Sequence, residues 1–187
     1  MITQQNAKPA IFIDRDGTLI EEVDHLSTLD DLRIFPFTAE ALELLRSSGF
    51  LIIIVTNQSG IGRGYFSEDS MHSIHSRINF ELGTKIDGFY YCPHLPDAGC
   101  SCRKPNLGMI EAACQDFNID LGRSWIVGDK RLDIETGFNA GIGTAMVLTG
   151  YGSTDVDSLA KKPAVVADNL LIAARMILDN TIIESVY

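Results

Sequence analysis

The sequence predicts an α/β protein built on a doubly wound parallel sheet with helices on both faces. Three observations carry that reading. Short apolar runs of strand length alternate with stripes of apolar residues at helical spacing. The run at 51–55 (LIIIV) is rich in β-branched residues and apolar on both faces, as a central parallel strand must be. Polar residues directly follow three of the runs: Asp14-Arg15-Asp16, Thr56-Asn57-Gln58 and Gly128-Asp129-Lys130. Open α/β sheets bind ligands at the carboxyl ends of their strands, so these three groups are expected to converge.

The elements follow in order. Residues 10–13 (AIFI) form a buried strand that ends at Asp14. After an irregular acidic stretch, 38–47 (TAEALELLRS) reads as a helix. Ala41, Leu42 and Leu45 share one face, Thr38 is placed to cap the start, and Gly49 lies just past the end. Beyond the central strand, Ser67 caps a helix carrying Met71, Ile74, Ile78 and Leu82. His72 and His75 lie on this helix and read as structural. Residues 89–91 form a strand, and Leu107, Ile110, Ala113, Cys114 and Phe117 make the next helical stripe. Residues 125–127 are a strand, 133–139 a short helix, 144–148 (TAMVL) a strand, 165–166 a last short strand and 170–178 a closing helix. Ile182, Ile183 and Val186 are expected to pack on the domain or on a neighbour.

The 187 residues suit one compact domain, 1–187. With 45% apolar and 21% charged residues, disorder is excluded as the main state. Lys and Arg number 15 against 25 Asp and Glu, a net charge of −10. Such a body repels nucleic-acid phosphates and anionic membrane surfaces, so neither is expected as a partner. The start, MITQQNAKPA, lacks the basic and apolar regions of a signal peptide, and the apolar run at 50–55 is too short to span a bilayer. A cytoplasmic monomer is the expectation.

Asp14 and Asp16 lie two residues apart at a strand end, and both point to one side if the chain stays extended. Alone, Asp-x-Asp-Gly marks a turn. Asp129 and Asp133 follow another strand, and Asp133 alternatively caps a helix. Gathered at one sheet edge, these carboxylates repel one another. A hard cation such as Mg²⁺ relieves that repulsion and keeps waters that a phosphate can replace. A carboxylate can attack phosphorus to give an aspartyl-phosphate, provided a cation, a lysine and hydroxyl donors neutralise the phosphate. Thr56 and Lys104 are available as donors; taken singly, they read as a strand-end cap and a surface lysine.

Cys92, His94, Cys100 and Cys102 give the pattern C-x-H-x5-C-x-C. Three thiolates and an imidazole suit tetrahedral Zn²⁺, and a closed four-ligand site is structural. Pinning this loop pins Arg103 and Lys104, which follow it directly. Cys114 sits on an apolar helix stripe and reads as core.

The ordered set DxDGT, strand-TN, lysine and strand-GDxxxD resembles the haloacid dehalogenase (HAD) superfamily of phosphatases, from residue 11 to about 152. The resemblance implies a HAD-like fold, with Asp14 as nucleophile and Asp16 as general acid and then base. It implies that Thr56 and Lys104 hold the phosphoryl oxygens, and that Asp14, the main-chain carbonyl of Asp16 and Asp129 bind Mg²⁺. The spans between Thr18, Thr56 and Lys104 hold only loops and single helices, which leaves no room for a large cap domain. An open site is expected, with the zinc-stabilised loop as one wall.

Within the superfamily, YYCPHLPDAGCSCRKP resembles the D-glycero-D-manno-heptose 1,7-bisphosphate 7-phosphatases and the related histidinol-phosphate phosphatases. The segments TNQSGIGRGYF, NLGM and VGDK favour the heptose branch, which feeds lipopolysaccharide and other surface-polysaccharide precursors; the short gap between His94 and Cys100 favours the histidinol branch. On this resemblance Glu22, Val23, Asp24 and His25 line the entrance, and Arg15, Asn57, Gln58, Ser59 and Lys130 contact the sugar phosphate substrate. A second phosphate would need its own donor. Arg103 is the first candidate because a guanidinium fork matches phosphate oxygens, and Arg63 is the second. A reading from another class is a zinc-stabilised phosphate-binding protein without turnover. Every catalytic position is filled, which counts against it.

Overall fold

The computed structural model describes residues 7–83 and 85–184, with side chains up to 180. The polar N-terminal start and the side chains of Ile182, Ile183 and Val186 lie outside the described residues. Six strands, β1 (Ala10–Ile13), β2 (Leu51–Asn57), β3 (Gly88–Cys92), β4 (Trp125–Gly128), β5 (Gly143–Val147) and β6 (Val165–Ala167), form one parallel sheet in the order 3-2-1-4-5-6. The connecting helices are α1 (Thr38–Ser47), α2 (Ser59–Gly62), α3 (Glu68–Glu81), α4 (Gly108–Asp116), α5 (Arg131–Ala140), α6 (Gly152–Asp155) and α7 (Leu170–Glu184).

Alternate residues of the strands feed two apolar layers. Ile11, Ile13, Ile52, Ile54 and Val127 pack with α1, α3 and α7 on one face. Phe12, Ile53, Val55 and Ile126 pack with Met109, Ile110 and Ala113 of α4 on the other, where Cys114 also lies. This two-sided burial is why the 51–55 run lacks the alternation of a half-exposed strand.

Strand order reverses between β1 and β4, which are neighbours although far apart in sequence. That position is the topological switch point where open sheets form their ligand crevice. Pairing of Ile13 with Val127, and the bond from Asp14 N–H to the Val127 carbonyl (2.9 Å), bring Asp14 and the Gly128-Asp129 turn out side by side. On the other flank Asn57 pairs with Cys92, so the loop that carries His94, Cys100 and Cys102 starts at the same edge.

Among the described residues, only a 3₁₀ turn (Leu29–Asp31) and α1 lie between β1 and β2, and only α2 and α3 between β2 and β3. Among the described residues no cap covers the crevice, and no helix is long and apolar enough to cross a membrane. Ser67 caps α3 by accepting from Ser70 N–H at 3.1 Å. Thr38 does not cap α1: it is the first helical residue, and its hydroxyl donates to the Leu19 carbonyl at 2.8 Å. That bond ties α1 to the loop after β1. Asp133 lies in the first turn of α5, where its carboxylate accepts from Lys130 N–H at 3.0 Å.

Candidate active site

The floor of the crevice is a set of buried charges. Asp14 ends β1, Asp129 ends β4, and Asp133 projects from the first turn of α5; their carboxylate oxygens lie within 4.8 Å of one another. Lys104 enters from the loop before α4 and is 3% exposed. Its ammonium is 2.8 Å from Asp14 Oδ1, 2.5 Å from Asp133 Oδ1 and 2.8 Å from the Val55 carbonyl, which uses all three of its donors. Burial alone would lower the Lys104 pKa, but the Asp133 and Asp14 charges outweigh it and raise the pKa above the ordinary value. Burial pushes Asp133 up to about 6 despite the pull of Lys104.

Asp129 is pushed up to about 8, first by burial and then by the charges of Asp14 and Asp133. Its Oδ1 accepts from the Thr18 hydroxyl (3.3 Å) and its Oδ2 from Tyr151 N–H (2.9 Å). Two glycines press on this carboxylate. A Cβ on Gly17 (φ +82°) or Gly150 (φ +54°) would come within 2.3 or 2.2 Å of Asp129 Oδ2, so neither position accepts a side chain. Lys104 and Lys130 offset the mutual repulsion of these three carboxylates only in part, as the raised pKa of Asp129 shows. That donor set fits a hard divalent cation.

Asp16 is held beside this floor. The buried Arg15 guanidinium forks onto it, with Nε 3.2 and 3.1 Å from the two oxygens and Nη2 2.9 Å from Oδ1. Gln58 Nε2 donates to Asp16 Oδ2 (2.8 Å) and to the Thr56 hydroxyl (2.9 Å). Asn57 fixes the backbone of Lys104, accepting its N–H at 3.1 Å and donating to its carbonyl at 3.3 Å.

A cleft of about 30 Å³ lies over the floor, lined by Asp14, Asp16, Thr56, Lys104 and Lys130 among others. It shares Asp16, Asn57, Lys130 and Leu132 with an outer cavity of about 520 Å³. Glu22, Val23, Asp24 and His25 form one wall of the outer cavity, Gln58 and Ser59 another, and Arg15 and Arg103 also line it. Arg63, the other expected donor, follows α2 and does not line the cavity. His25 adopts a left-handed φ of 56° and sets its ring edge-on to Tyr65, with centroids 4.7 Å apart. Lys130 pairs with Glu22 at 2.7 Å and lies over the Tyr151 ring, 4.9 Å from its centroid.

The sequence reading missed Arg131, Leu132, Tyr151 and Asp155 in this wall. The signal was present: Tyr151 follows β5, and the strand-end rule applied to that strand would have found it. It also missed the contact of Asp133 with Lys104, because Asp133 had a sufficient local role at the helix start.

Cys92, at the end of β3, meets His94, Cys100 and Cys102. Sulfur–sulfur distances are 3.1, 3.5 and 3.6 Å, and His94 Nδ1 lies 3.2 Å from Cys102 Sγ and 3.6 Å from Cys92 Sγ. No disulfide joins them, since a bond would need about 2.05 Å. Four soft donors converging on one point fit tetrahedral zinc. Arg103 Nη1 reaches back to the His94 carbonyl at 3.4 Å.

A family model described as HAD-hydrolase-like matches residues 101–173. The chain is 37% identical to a D-glycero-D-manno-heptose-1,7-bisphosphate 7-phosphatase of Thermosynechococcus vestitus, over 91% of this chain and 95% of that one. It is 40% identical to a D-glycero-beta-D-manno-heptose-1,7-bisphosphate 7-phosphatase of Haemophilus ducreyi, over 79% and 87%. Among solved structures, the D,D-heptose 1,7-bisphosphate phosphatase of B. bronchiseptica, complexed with magnesium and phosphate, superposes with a TM-score of 0.85. The identity is 29%, and the match covers 92% of this chain and 99% of that one.

Proposed function

The chain belongs to the HAD-like phosphatase family of these relatives, and on that premise we propose that it removes the 7-phosphate of D-glycero-D-manno-heptose 1,7-bisphosphate. The observation that carries the reading is the buried Asp14–Lys104 contact at the switch point, beneath an open cavity that also holds Arg103 and Lys130. Asp14 attacks phosphorus and forms an aspartyl-phosphate, while Asp16 gives its proton to the leaving alcohol and then takes one from the hydrolytic water. Lys104 and the Thr56 hydroxyl hold phosphoryl oxygens. Asp14, the Asp16 carbonyl and Asp129 hold Mg²⁺, which when bound supplies charge neutralisation at the phosphate.

The remaining cations suit a second phosphate. Arg103 is the donor for it, and Lys130, steered by Glu22, faces the sugar. Burial raises the Glu22 pKa against the pull of Lys130, so this pair sits in a partly dry wall. Cys92, His94, Cys100 and Cys102 hold structural Zn²⁺ and fix the loop that delivers Arg103 and Lys104.

The test is kcat/KM for both anomers of the heptose bisphosphate against histidinol phosphate. The heptose substrate is expected to lead by at least tenfold. Equal or reversed preference overturns the substrate assignment.

A further inference from the structure

His75 has no part in the chemistry described above, yet it sits behind it. It lies on α3, 4% exposed, with its ring stacked on Phe89 at 4.5 Å between centroids and 16° between planes. His72 and Tyr91 meet it edge-on. Its Nε2 faces Arg15 Nη1 at 3.3 Å. Arginine has only donors, so this contact is a hydrogen bond only if Nε2 is bare and the proton sits on Nδ1. Burial, reinforced by the charge of Arg15, pushes the His75 pKa down to about 3, which keeps the ring a neutral acceptor. Arg15 is itself 1% exposed, and its other edge forks onto Asp16.

We propose that His75 is a positioning residue for the general acid. It anchors the far edge of the Arg15 guanidinium so that the near edge meets the Asp16 carboxylate in a two-pronged fork. The inference rests on the reading of Asp16 as proton donor. When Asp16 gives its proton to the oxygen of the breaking P–O bond, a carboxylate remains, and the fork stabilises that product of the transfer. Without the acceptor at His75, one buried guanidinium edge is left unsatisfied, and the plane turns to find another partner. The anion then loses its matched donors. A helix residue two side chains away from the phosphate thereby controls how readily the leaving group is protonated.

The experiment uses leaving groups of different basicity. A sugar alkoxide needs a proton to depart, whereas p-nitrophenolate does not. The ratio kcat/KM covers only the steps up to release of the alcohol, and comparing two substrates on one preparation cancels any difference in folded fraction. His75→Phe keeps the stack on Phe89 and removes the acceptor. It is expected to lower kcat/KM about tenfold for the sugar phosphate and no more than about twofold for p-nitrophenyl phosphate, mainly through kcat. His75→Gln, whose amide oxygen can accept from Arg15, is expected to restore most of the loss. Equal losses on both substrates, or no loss on either, overturn the proposal and leave His75 as packing. Asp16→Asn is the control. If it shows no dependence on leaving group, the assignment of Asp16 fails, and the role of His75 falls with it.

Discussion

The Lys104 ammonium stands 2.8 Å from the Asp14 carboxylate, in a pocket where both groups are almost wholly buried. A second buried carboxylate, Asp133, pairs with the same ammonium. Removing the lysine therefore takes from two buried acids the ammonium that is hydrogen-bonded to both. Lys104→Met is expected to cost roughly 3–5 kcal/mol of stability and to reduce kcat by at least about a hundredfold. Denaturant unfolding and steady-state rates check the two effects separately.

Asp14→Asn keeps the shape of the side chain and removes its nucleophilic charge. Turnover is expected to vanish, with unfolding temperature changed by no more than a few degrees. Retained turnover would refute the nucleophile assignment.

The raised pKa of Asp129 sets a pH dependence for the metal-free protein. Its folded value, about 8, exceeds the unfolded value of 3.8. The native state therefore holds the extra proton between those limits, and stability from this group is complete at the acid end and lost as pH rises through about 8. Mg²⁺ bound at Asp129 would displace that proton. The rise in Tm on adding Mg²⁺ is expected to be larger at about pH 8.5 than at about pH 6. A rise independent of pH contradicts the placement of Mg²⁺ on Asp129.

Gly150→Ala drives a methyl into Asp129 Oδ2 at a left-handed φ. The concentration of Mg²⁺ needed for half-maximal activity is expected to rise at least about tenfold, with some loss of stability. Titration of activity against Mg²⁺ reads the effect.

Elemental analysis is expected to find about one zinc per chain. Stripping it with a chelator and a thiol reagent should lower Tm and kcat/KM together, because Lys104 lies two residues beyond Cys102. Zinc loss that leaves both unchanged contradicts a role for the loop in holding the site.

The parts of this molecule that were legible in the sequence are those written in local chemistry. β1, β2 and α3 were legible because apolar spacing and a serine cap specify them over many residues. The convergence of Asp14, Thr56 and Asp129 followed from the rule that places ligands at strand ends. α2 and α6, with four residues each, are too short to carry a helical period. Thr38 misled because a hydroxyl at a helix start usually turns inward to the backbone, and here a carbonyl from a distant loop took it. His75 looked like packing because its partner, Arg15, is sixty positions away. Arg63 was grouped with the site for its charge and its neighbouring glycines, and neither says that the residue after α2 falls outside the cavity lining.

The floor of the site stands on strand ends and is locked by glycines, while the mouth is made of side chains on separate loops. Tyr151 shows the division within one residue: its N–H supports Asp129, and its ring, 49% exposed, faces the cavity. Any substitution other than proline keeps the first function and changes the second. A library that randomises Val23, Asp24, His25 and Tyr151 while holding Gly17 and Gly150 fixed would search for new substrates without disturbing the chemistry beneath them.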